Sequence, residues 1–137
     1  MTQAGLSLTV HFHGMQNAFG FVLIKDEEEI LDEGNGLTSD NPSWIALGKA
    51  VRKIIEKYEP ESLFIVGARV TIDELTGKQP CPNLRTAAIR DRCRELFQAI
   101  RVKTKNIVLK IRQPGGVWIA QQLCMLALEE EQQRNVA

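Results

Sequence analysis

Residues 6–24, LSLTVHFHGMQNAFGFVLI, decide how this chain is read. In 6–13, Leu6, Leu8, Val10 and Phe12 alternate with Ser7, Thr9, His11 and His13. That is the period of a strand with one apolar face. Gly14–Asn17 (GMQN) is a turn, and AFGFVLI (18–24) is a second strand. The charged step Lys25–Glu28 reads as a hairpin turn, and a third strand over Glu29–Gly36 ends in Gly34-Asn35-Gly36. Connections this short join neighbours, so the three strands run antiparallel in succession.

Downstream the period changes. In LTSDNPSWIALGKAVRKIIEKYEP (37–60), Trp44, Leu47, Val51, Ile54, Ile55 and Tyr58 recur every three or four residues, opposite Lys49, Arg52, Lys53, Glu56 and Lys57. This is an amphipathic helix, with Asp40 or Asn41 as its cap, Pro42 in its first turn and Pro60 beyond its end. SLFIVGARV (62–70) is a continuous apolar run, the mark of a buried parallel strand. A short helix or turn over Thr71–Thr76 leads into the loop GKQPCPNL (77–84). A helix over 84–100 turns Ile89, Cys93, Leu96, Phe97 and Ile100 inward, KNIVLKI (105–111) is a fifth strand, QPGG (113–116) is a turn, and VWIAQQLCMLALEEE (117–131) is a mostly apolar last helix. The order β-β-β-α-β-α-β-α predicts an α/β fold: one mixed five-stranded sheet, three antiparallel strands followed by βαβ-type units, flanked by helices.

A length of 137 residues suits a single domain, 1–137, with an acidic tail over about 129–137. Hydrophobic residues at 44% and charged residues at 25% exclude a disordered chain. No apolar run has the length of a membrane span, the start MTQAGLSLTV lacks a signal-peptide pattern, and Cys81, Cys93 and Cys124 form no CxxC pair. Reduced thiols, a cytoplasmic location and no zinc site are expected. The 17 basic and 17 acidic residues cancel, but unevenly: 1–48 carries −6, 49–128 carries +8 and 129–137 carries −2. Such asymmetry is the pattern of an interaction surface.

The element order and several local words resemble the type 1 ribonuclease H family within the ribonuclease H-like superfamily, over nearly the whole chain. Phe12-His13-Gly14 stands where that family has aromatic-Asp-Gly at the end of strand one. Thr38-Ser39-Asp40-Asn41 and Pro42-Ser43-Trp44-Ile45-Ala46-Leu47 stand where it has Thr-Asn-Asn and Ala-Glu-Tyr-x-Ala-Leu. Gly67-Ala68-Arg69 and Leu75-Thr76-Gly77 answer to Gly-Asp-Ser and Leu-x-Gly, and Ala120–Leu128 matches the apolar positions of the last helix. The resemblance implies four converging carboxylates that hold two divalent metals. Their positions fall on His13, Ser43, Ala68 and Gln121, none of them acidic. Hard Mg²⁺ needs anionic oxygen to offset its dehydration, so the expectation is a chain with no catalytic residue, no metal and no cofactor, a degenerate relative rather than a nuclease.

Other chemistry is weaker. His11 and His13 share a face and would suit a transition metal given a third ligand, or are ordinary side chains at a former active site. Cys81 is a bystander thiol or a nucleophile in a Pro loop. Gly14-x5-Gly20 lacks the Lys-Ser/Thr ending of a phosphate loop and reads as turn chemistry. Asp26–Glu29 is a solvated hairpin tip or a cation site, and Trp44 and Trp118 suit core packing better than base stacking. The strongest lead is basic: nine Lys/Arg against two acids between Arg85 and Arg112. Arg85, Arg90, Arg94, Arg101, Lys103 and Lys105 are the expected nucleic-acid contacts, with Arg90, Arg94 and Arg101 on one helix stripe. The resemblance implies grip on an RNA/DNA hybrid or duplex backbone, sequence-independent and salt-sensitive. Two rivals stand beside this: a protein-interaction domain that forms homodimers through a sheet edge or the last helix, and a nuclease with replacement ligands such as His13.

Overall fold

Three antiparallel strands open the chain, as the alternation predicts. The computed structural model describes residues 3–113 and 118–136, so the turn expected over 113–116 lies beyond Gln113 outside the described residues. Strands β1 (Gln3–Met15), β2 (Ala18–Lys25) and β3 (Glu29–Leu37) are followed by α1 (Pro42–Lys57), β4 (Pro60–Gly67), α2 (Arg69–Thr76), α3 (Leu84–Arg101), β5 (Asn106–Ile111) and α4 (Ile119–Val136). The sheet order is β3-β2-β1-β4-β5, with β1–β2 and β2–β3 antiparallel and β1–β4 and β4–β5 parallel. Among the described residues no helix is long and apolar enough to cross a membrane.

The two faces of the sheet are covered unequally. Leu8, Val10, Phe12, Phe21, Leu23, Leu63 and Ile65 point to one face, where they pack with Trp44, Leu47, Val51 and Ile54 of α1 and with Cys93, Phe97 and Ile100 of α3. The Trp44 indole donates to Glu74 Oε1 at 2.9 Å inside this core and ties α1 to α2, which accounts for a buried glutamate. On the other face α4 lies across β2, β1 and β3. Phe64 and Val66 of β4 stay half-buried and Val108 of β5 is exposed there. The unbroken apolar run of 62–70 therefore does not mean burial on both sides.

Several expectations are corrected. Strand β4 ends at Gly67, and Arg69 and Val70 already belong to α2. Neither Asp40 nor Asn41 caps α1 by a side-chain bond: Asn41 takes a left-handed conformation, and its Oδ1 accepts from Thr86 Oγ1 of α3. The last helix is longer than expected, running through 129–136 as part of α4. Gly14 and Gly20 lie in paired strands, not in a turn. A Cβ on Gly14 would strike the Ser43 backbone, and one on Gly20 the Ala120 carbonyl, so these glycines let α1 and α4 close onto β1 and β2. The hairpin tip is as expected, exposed from Asp26 to Glu29.

Candidate functional site

Strand β1 alternates, so His11 and His13 leave the core face and emerge on the side of α4. The elements carrying His13, Ser43, Ala68 and Gln121 gather around the end of β1. Ser43, in the first turn of α1, lies against Gly14. Cys124 of α4, one turn beyond Gln121, reaches the His13 carbonyl oxygen with its Sγ at 3.4 Å. Because His11 pairs with Val66 in the parallel β1–β4 register, one further step of two residues sets Ala68 beside His13. On the other side of β4, Gly67 pairs with Ile111, and the Arg112 amide donates to the Gly67 carbonyl at 2.8 Å, which sets Arg112 beside Ala68.

That register produces a contact that no sequence word announces. Arg112 crosses from β5 over the small Ala68 position and donates from Nη1 to His13 Nδ1 at 2.6 Å. Arginine only donates, so His13 accepts through Nδ1 and carries its proton on Nε2. Trp118 covers the group: its ring lies 5.7 Å from Arg112 Cζ and 5.6 Å from the His11 ring. Trp118 is half-buried here and is absent from the core cluster, which corrects its expected core role, whereas Trp44 is a core residue. Burial first, then the Arg112 charge, holds both imidazoles below their ordinary 6.5. Burial also lowers Arg112 from its usual value. His11 Nδ1 is buried with no hydrogen-bond partner among the described residues.

These residues do not fit a pair of hard divalent ions. Ala68 has no donor atom, Ser43 and Gln121 offer neutral oxygen, and the His13 lone pair at Nδ1 is taken by a guanidinium. A cation would enter against the charge of Arg112. Among the described residues no three His, Cys, Asp or Glu cluster as metal ligands. The three cysteines are free; burial pushes the Cys93 and Cys124 thiols up to about 11, while half-buried Cys81 accepts from Arg90 Nη1 at 3.5 Å.

The expected phosphate contacts lie elsewhere, on α3 and the turn after it, and they are not equivalent. Arg94 donates from Nε and Nη2 to the Leu75 carbonyl at 3.1 and 2.8 Å, satisfying the C-terminal end of α2. Arg90 is held by Asp91 and Cys81, Arg85 pairs with Asp40, and Lys103 pairs with Glu59 at 2.8 Å. Arg101 and Lys105 are exposed with no acidic partner among the described residues. The stripe predicted from Arg90, Arg94 and Arg101 thus resolves into two tethered side chains and one free one. Arg101 borders a groove of about 440 Å³ floored by Leu75, Phe97, Ile107 and Leu109.

The arrangement is that of the ribonuclease H-like fold. The ribonuclease H1 of the halophilic archaeon Halobacterium salinarum superposes with a TM-score of 0.77 at 19% identity, over 90% of this chain and 98% of that one. The N-terminal ribonuclease H domain of a Mycobacterium tuberculosis protein, solved as a fusion with maltose-binding protein, gives 0.79 at 11% identity, over 96% and 99%. The LC11 ribonuclease H1, isolated from compost by a metagenomic approach and solved in complex with an RNA/DNA hybrid, gives 0.78 at 10% identity, over 91% and 99%. At such identities the likeness is one of fold. No protein-family model and no curated protein matches the sequence.

Arg112 is the residue that sequence reasoning passed over, counted only as one base among nine. The available signal was alternation on β5, which puts Val108, Lys110 and Arg112 on the face of His11 and His13 once the strand order is known.

Proposed function

We propose that this chain is a catalytically degenerate ribonuclease H-like protein that binds a nucleic-acid backbone without hydrolysing it. The observation that carries the reading is the guanidinium of Arg112 seated on His13, among positions where a two-metal nuclease of this fold would hold carboxylates. A cation fixed by the chain in that place opposes metal entry while leaving the neighbourhood attractive to phosphate. The exposed Arg101 and Lys105, with no acidic partner among the described residues, supply further charge, and the hybrid-bound protein of the same fold supports a duplex as the ligand class. Arg85, Arg90, Arg94 and Lys103 would contribute to the field rather than contact phosphate directly.

Electrophoretic retardation of a labelled RNA/DNA hybrid tests this. Binding at about 50 mM salt should weaken steeply as salt rises, and Arg101→Glu/Lys105→Glu should abolish it with the far-ultraviolet spectrum unchanged. Absence of retardation in the unaltered protein at low salt contradicts the reading. It would favour the homo-oligomeric alternative, for which Met125 and Leu126, 46% and 45% exposed on α4, are the supporting observation. Sedimentation of the same sample would then show a dimer.

A further inference from the structure

Ala68 stands beside the ends of β4 and β5, where the chain carries three bases. Arg69 follows it and is exposed at the start of α2. Lys110, opposite Val66 on β5, holds its Nζ 5.0 Å from the Phe64 ring centre, turned back along the sheet from Ala68. Among the described residues the Arg112 guanidinium has one hydrogen-bond partner, a neutral imidazole, and one aromatic neighbour. None of the three has an acidic partner among the described residues, although elsewhere Asp32, Asp40, Glu59 and Asp91 each pair with a base. A half-buried guanidinium that folds without a counter-ion is costly unless an anion completes it. Helix α4 packs on β2, β1 and β3 on this face, and Trp118 lies against one side of Arg112.

We infer that Arg112, oriented by His13, forms a metal-independent site for a phosphate mono- or diester at the end of β1, β4 and β5, with Arg69 and Lys110 adding to the positive field around it. The guanidinium fork suits two oxygens of one phosphate, and His13 fixes its orientation by accepting from Nη1. Ala68 leaves the passage between β1 and β5 open, since a carboxylate there would bind Arg112 in place of the ligand. The phosphate comes either from a free nucleotide or from a polynucleotide backbone. The second source rests on the function proposed above, the first does not.

His11 and His13 are the only histidines, so their imidazole C2–H signals report this site alone. The protein is titrated separately with inorganic phosphate, with a nucleoside 5′-monophosphate and with a short RNA/DNA hybrid, at neutral pH and without divalent metal. The expected result is a saturable shift of the histidine signals with a dissociation constant of about 1 mM or tighter. In Arg112→Gln the response should weaken at least about tenfold, the loss of one charge-assisted pair. Ala68→Asp should suppress it as well by supplying an internal anion. A shift with mononucleotide identifies the free ligand, and a shift with hybrid alone identifies the backbone. No shift with any of the three, in protein that still retards hybrid on a gel, overturns the site and leaves the α3 reading standing. A shift with mononucleotide in protein that fails to retard hybrid keeps the site and removes the nucleic-acid reading.

Discussion

His13 is the residue at which this chain departs most sharply from a two-metal nuclease. Its backbone does what the fold asks, pairing with Gly20 and accepting from Cys124 Sγ, while its ring accepts from Arg112. One consequence is a pH dependence of stability. Both imidazoles sit below 6.5 in the folded state, through burial first and Arg112 second. In the unfolded chain they protonate near the unperturbed value of about 6.5, so below that pH the unfolded state binds more protons. The stabilisation is full above the unfolded value and is lost as pH falls toward the lowered folded values. The urea midpoint should therefore drop between about pH 7.5 and 5.5. The drop should shrink in His11→Phe/His13→Gln, and an equal drop in that variant would show that other groups carry it.

Helices α2 and α3 show how an element-level reading goes astray. Amphipathic periodicity places α3 correctly, over Leu84–Arg101 against an expected 84–100, and turns Cys93, Phe97 and Ile100 inward. What periodicity does not contain is the end of α2, where Gly77 takes φ 87° and leaves the Leu75 carbonyl without a helical partner. Arg94 fills that vacancy from the neighbouring helix, and a side chain that looks like surface charge becomes a tether. Arg94→Ala should cost about 1 kcal/mol, below the roughly 1.5–3 kcal/mol of hydrogen bonds to a charged group because the side chain is 41% exposed. Arg101→Ala should stay within about 0.5 kcal/mol of the unaltered protein. Denaturant melts of the two variants distinguish them, and the reverse order would contradict the assignment. The same limit applies to α1. The motif around Asp40 and Asn41 marks where the helix starts, but Asn41 turns its carboxamide oxygen to Thr86 of α3, a partner 45 residues away.

At the scale of the whole molecule, the fold was legible because two periods and short connections leave little choice of topology: alternation in 6–24, three- and four-residue spacing in 44–58, and one apolar run between helices. The candidate site was legible only as a set of missing acids. What replaces them depends on register, since Arg112 meets His13 only because β4 lies between β1 and β5 and is followed at its end by the small Ala68. Neither the strand order nor a contact over 99 residues is written in any local word. Helix α4 adds a second global feature, covering β2, β1 and β3 rather than the β4–β5 half of the sheet. The central claim is that this centre holds a guanidinium where catalysis would need metal, and incubation with a labelled RNA/DNA hybrid and either Mg²⁺ or Mn²⁺ tests it most directly. The account predicts intact hybrid at enzyme excess in both metals. Cleavage products that form reproducibly and vanish in His13→Ala would contradict it.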